Sequence, residues 1–75
     1  MLDSHYFDPS QSVLTPRERT VLQLAAEGLS GPAIAERLGL SYATVRTHFG
    51  HIYLKLEVGG RGGAVAKGMR LGLIR

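Results

Sequence analysis

The chain of 75 residues has no cysteine and no tryptophan, only three prolines, and aromatic residues at 7%. Without thiols it has no disulfide framework and no thiolate metal site, the composition expected of a reducing, cytoplasmic compartment. No stretch approaches the roughly 18 consecutive apolar residues that span a bilayer, and no basic segment followed by an apolar one opens the chain. A membrane is therefore not among the expected partners. A chain this short buries only about 60% of its unfolded surface, which leaves little room for a deep substrate pocket. It also lacks a Ser-His-Asp or Cys-His set and a glycine-rich phosphate fingerprint, so neither an enzyme nor a cofactor is expected.

Acids are scarce in one half. Residues 1–40 carry Asp3, Asp8, Glu18, Glu27 and Glu36 against three arginines, a net of −2, whereas residues 41–75 carry six bases against Glu57 alone, a net of +5. The two halves sum to the formal charge of +3. Positive charge gathered on one half suits a surface that faces a polyanion, because neutralised phosphates release their counterions. A solvated basic face is the plain alternative.

Residues 1–13 show no sustained period and include the turn-type cluster Asp8-Pro9-Ser10, so they read as an arm or linker, with an upstream domain expected before them. Residues 14–75 read as one all-α domain of four helices, with no strand alternation anywhere. Helix one is expected over 16–27: Thr15 is its N-cap, Pro16 its first residue, Glu18 closes a capping box, and Gly28 is the left-handed stop. Ser30 caps a short second helix that Gly39 ends, with Ile34, Ala35 and Leu38 inward. Ser41 caps a third over 42–56, where Val45, Phe49, Ile52 and Leu56 share one face. At 100° per residue, Ala43, Thr47, Gly50, His51 and Leu54 point away from that face, with Thr44, Arg46 and Lys55 on the flanks. Residues 59–63 read as a flexible glycine connection before a weak fourth helix over 62–71, which Gly72 stops.

A short helix, a three-residue glycine turn and a longer helix are the parts of a helix-turn-helix. Ala35 lies four residues before Gly39 and Val45 six after it, which puts a methyl and a branched side chain where two steeply crossing helices press together. That crossing projects the start of the second helix outward, toward a DNA major groove wide enough for one helix. Arg46 has the planar fork that matches guanine O6 and N7, and Thr47 offers either a hydroxyl to a base or a methyl to thymine.

Several motifs in order make the chain resemble the LuxR-type (FixJ or NarL-type) DNA-binding domain of bacterial transcription regulators. They run from Leu14-Thr15-Pro16-Arg17-Glu18-Arg19 through Ala26-Glu27-Gly28-Leu29-Ser30 and Ile34-Ala35-Glu36-Arg37-Leu38. They continue with Ser41, Thr44-Val45-Arg46, His48, Lys55-Leu56, Val58, Arg61 and Ala64-Val65, covering residues 14–74. The resemblance implies a four-helix domain that binds double-stranded DNA as a dimer. The helix from Tyr42 then reads bases and the last helix contributes dimer contacts. Carried over by position, Arg46 faces bases with Thr47 beside it, while Tyr42, Thr44 and Lys55 contact backbone phosphates; Ser41, Gly50 and His51 complete the DNA-facing set. Val65 and Met69, an apolar pair on a glycine-rich helix, are the dimer candidates. A weak homodimer, RNA polymerase and a response-regulator setting are the further expectations.

The chain departs from the family at several places. Gly50 stands where a polar or basic contact is frequent, Leu54 where a basic residue is common, and Gly31-Pro32 replaces a common Asn-Lys pair. Glu57 replaces a usual glycine, and Gly60 an acidic or amide cap. Gly50 and Leu54 keep a rival reading open, a helix-turn-helix-shaped protein-interaction module with little DNA affinity. Two others are weaker. His48 and His51 with His5 have no carboxylate or thiol nearby in sequence for a metal site, and one arginine among glycines 59–63 is too few for an RNA track.

Overall fold

The computed structural model describes residues 14–75. The arm expected over 1–13, His5 included, lies outside the described residues. Four helices follow in order, α1 (Pro16–Ala26), α2 (Gly31–Leu38), α3 (Tyr42–Leu56) and α4 (Arg61–Arg70), with no strand among the described residues.

The helix starts follow from their caps. The Thr15 hydroxyl accepts from the Glu18 N–H at 3.1 Å while the Glu18 carboxylate accepts from the Thr15 N–H at 3.0 Å, which closes the expected capping box. Ser30 accepts from Ala33 N–H at 3.2 Å and Ser41 from Thr44 N–H at 3.0 Å, each satisfying one orphan donor of its helix. All four helices end alike. The N–H groups of Leu29, Leu40, Val58 and Leu73 reach back five residues to the carbonyls of Leu24, Ala35, Tyr53 and Gly68, the Schellman pattern. That pattern needs a left-handed residue just before the reaching N–H. Gly28, Gly39 and Gly72 supply it in three cases; in the fourth it is Glu57, at φ 58°.

α1 and α3 pack on each other and on both remaining helices, while α2 and α4 do not meet. The core between them holds Val21, Leu22, Ile34, Val45, Ile52 and Leu56, each at most 1% exposed. Ala35 and Val45 are both buried, as the helix-turn-helix spacing requires. Three core residues were absent from the periodic stripes: Leu14 ahead of α1, and Leu73 and Ile74 after α4. The last two are brought back over α1 by the turn at Gly72. The Gln23 side-chain amide then clasps the Arg75 backbone, donating to its carbonyl at 2.8 Å and accepting from its N–H at 2.9 Å.

The connection expected over 59–63 is shorter than its glycines suggest, because Arg61, Gly62 and Gly63 form the first turn of α4. The cause is Arg61. Its guanidinium donates to the carbonyls of Ala25, in the last turn of α1, and Leu29, just after it, and lies 5.8 Å from the centre of the Phe49 ring. That anchor fixes the start of a helix whose N-cap, Gly60, has no side chain to cap it. Lys67 secures the other side by donating to the Leu56 carbonyl at the end of α3.

Candidate nucleic-acid interface

α3 divides cleanly into two faces. Val45, Phe49, Ile52 and Leu56 are buried, and Ala43, Thr47, Gly50, His51 and Leu54 are exposed on the opposite side. The outward face is held in place by contacts made behind it, chiefly at its C-terminal half.

Glu18 is the centre of that support, with its side chain only 5% exposed. The Lys55 ammonium donates to it at 2.8 Å, and His51 Nδ1 lies 3.9 Å from its other oxygen. Burial pushes the carboxyl pKa up, but hydrogen bonds and charge from Lys55, with the bonds from Thr15, outweigh it and hold the group below its ordinary value. One carboxylate therefore caps α1 and ties α1 to α3. Lys55 was expected as a phosphate contact; the structure gives it this ion pair first, with its side chain still 39% exposed.

At the other end of α3 the side chains are organised around Tyr42. A Cβ added at Gly31 would meet Tyr42 Cε1 at 2.6 Å, so the first residue of α2 leaves space that the tyrosine ring fills. The Arg46 guanidinium lies 5.9 Å from the centre of that ring, one helical turn on. No carboxylate pairs with Arg46 among the described residues. The hydroxyls of Ser41 and Thr44 bond each other at 2.9 Å as part of the cap. Thr47 donates its hydroxyl to the Ala43 carbonyl at 3.1 Å. Gly50 opens onto free space.

The structure thus gathers Ser41, Tyr42, Thr44, Arg46, Thr47 and Gly50 on the exposed start and middle of α3, and His51 and Lys55 against Glu18. Val65 is half-buried and Met69 is 46% exposed, both on α4. Three residues that position the interface were not singled out for it by sequence: Glu18, whose capping role masked its pairing with Lys55, Arg61, and Gly31 as the seat of Tyr42.

Residues 12–67 match the family described as bacterial regulatory proteins, luxR family. The chain belongs to the LuxR family. It is a helix-turn-helix DNA-binding domain of the kind that transcription regulators carry. The solved transcription factor GerE superposes with a TM-score of 0.82 at 38% identity, over 87% of this chain and 97% of that one. The response regulator ChrA of a heme-sensing two-component system gives 0.81 at 41% identity, over 85% of this chain and 32% of that one. An HTH-type transcriptional regulator of Mycobacterium tuberculosis is 48% identical over 59 residues, 79% of this chain and 7% of that protein. The transcriptional regulatory protein NarL of the same organism is 47% identical over 66 residues, 88% of this chain and 31% of that protein. The chain therefore spans well under two thirds of these curated relatives.

Within the LuxR frame the departures acquire physical reasons. Position 57, where the resemblance led to an expectation of glycine, is left-handed in the structure, and Glu57 occupies it. At Gly31, where the resemblance led to an expectation of asparagine, the Tyr42 ring lies where a Cβ would stand. No helix of the described residues is long and apolar enough to cross a membrane.

Proposed function

We propose that α3 enters the major groove of double-stranded DNA and that Arg46 reads a guanine there through O6 and N7. The observation that carries this reading is the position of Arg46 on an exposed helix face, beside Tyr42 and with no carboxylate partner among the described residues. The capped starts of α2 and α3 lie near the phosphates, where their unbonded N–H groups and dipoles favour anions. Lys55 braces α3 on α1, and its exposed part adds to the positive potential over the same half of the chain. Two copies bind half-sites about one helical turn apart, in contact through Val65 and Met69 of α4. The setting is a cytoplasmic transcription regulator that works with RNA polymerase.

The test is selection of duplexes from a random-sequence pool by the 75-residue chain, followed by gel shift at two salt concentrations. Each pair of phosphates contacted should weaken binding about tenfold between about 50 and 200 mM salt. A chain that selects no duplex at any salt contradicts the reading and favours a protein-interaction module.

A further inference from the structure

A cleft of about 370 Å³ opens between the flank of α3 and the first residues of α2 and α4, Gly31 and Arg61. Its volume falls in the range of small-molecule sites, about 300 to 1,000 Å³. Tyr42, Arg46, Phe49 and Tyr53 line it from one side of α3, so two guanidinium groups and three aromatic rings surround the space and no carboxylate does. Each cation stands beside a ring. Arg46 lies 5.9 Å from the centre of Tyr42 and Arg61 5.8 Å from that of Phe49, whose own ring is 5.8 Å from Tyr53. Arg61 uses only Nη2 to bond the carbonyls of Ala25 and Leu29, which leaves the donors on Nη1 and Nε for another acceptor. It is also half-buried, and a charge so placed attracts an anion more strongly than one in bulk water. The cleft stays open on its remaining side because Gly50 has nothing within 4 Å of where a Cβ would stand.

We infer that this cleft is a binding site for a small planar aromatic carboxylate, its charge met by the guanidinium groups of Arg46 and Arg61 and its ring packed on Tyr42 and Tyr53. Two cations without an acid in the lining select an anion, and three rings select a flat apolar body over a bare inorganic one. Arg46 stands at the edge of the cleft and on the proposed DNA face at once. A bound acid therefore competes with a duplex for this guanidinium, a consequence that rests on the major-groove reading; the binding itself does not.

The experiment titrates 2-naphthoate into the 75-residue chain and follows backbone amides by nitrogen-edited NMR. Gly31, Gly50 and Arg61 should shift saturably with a Kd of about 1 mM or tighter. Hexanoate, which lacks the ring, and 2-naphthamide, which lacks the charge, should each bind about tenfold more weakly or worse. Gly50→Leu fills the open side and should abolish the shifts without lowering the melting temperature, since glycine is the poorer helix former. In gel shift with a selected duplex, naphthoate at about ten times its Kd should weaken binding about tenfold, and hexanoate at the same concentration should not. No saturable shift, equal binding of hexanoate, naphthamide or inorganic phosphate, or undiminished binding by Gly50→Leu overturns the inference and leaves DNA binding standing. Saturable binding with duplex affinity unchanged overturns the competition and upholds the site. Failure to select any duplex overturns the major-groove reading, and the titration then decides the site alone.

Discussion

Glu18 shows how much a single side chain can determine here. Its carboxylate accepts from the Thr15 N–H and from Lys55, and it is almost fully buried, so replacing Lys55 removes the ammonium bonded to a buried charge and leaves it the Thr15 N–H. Lys55→Ala is expected to destabilise the fold by about 1 to 3 kcal/mol, read as a lowered denaturation midpoint, before any effect on DNA. The pH dependence has a definite sign. A carboxyl with a lowered pKa binds its proton less readily when folded than when unfolded. Its stabilising contribution is complete above the ordinary carboxylate value and fades as the pH falls through that value toward the folded one. Thermal melts from neutral pH down to about pH 3 should therefore show a shallower acid-side loss for Glu18→Gln than for the native chain. Parallel losses in the two proteins would show that Glu18 is not the group responsible. The capping role of Glu18 was legible in the Thr-Pro-Arg-Glu string because its partner is three residues away. The pairing with Lys55, 37 residues on, was not, since no local pattern encodes it.

Each helix illustrates the same division. Starts and stops set by adjacent residues, Thr15, Ser30, Ser41, Gly28, Gly39 and Gly72, fall where local chemistry puts them. α4 starts inside a glycine-rich stretch because Arg61 is tied to carbonyls more than thirty residues back, a tertiary contact overriding local propensity. At the end of α3, Glu57 does the work that glycine does at the three other helix ends. A left-handed conformation costs a side-chain-bearing residue about 1 to 2 kcal/mol, offset in part by the extra freedom glycine has when unfolded. Glu57→Gly is thus expected to stabilise by about 1 kcal/mol, raising the melting temperature of a domain this small by about 4 to 8 °C. An unchanged or lower melting temperature would mean that Glu57 makes a compensating contact. On α4, Met69 is exposed and Val65 is half-buried at the edge of the core, while Ala64 and Gly68 are buried. Val65→Arg should leave the helix folded and shift footprinting from paired half-sites toward single ones; undiminished protection of both half-sites would remove α4 from the dimer contact.

Taken whole, the molecule is a scaffold for one exposed helix face. Periodicity sufficed to assign the buried stripe of α3, the short turn after α2 and hence the direction in which Arg46 faces. The closing residues Leu73 and Ile74 escaped it, because they form no repeat and are buried only once Gly72 turns the chain back over α1. The same limit applied to the face itself: the residues pointed to Arg46 and Thr47 and the family resemblance to Tyr42, but only the folded chain shows the ring seated at Gly31 and the hydroxyl of Thr47 turned to the backbone. In the proposed reading, Arg46 is the point at which scaffold and nucleic acid meet. The most direct measurement compares native and Arg46→Ala chains for affinity on the selected duplex and on random duplex at one fixed salt concentration. The account predicts a loss of about 1 to 3 kcal/mol on the selected site, a much smaller loss on random DNA, and relaxed preference at one base pair. Equal losses on both duplexes would contradict it, because Arg46 would then be supplying charge and not reading a base.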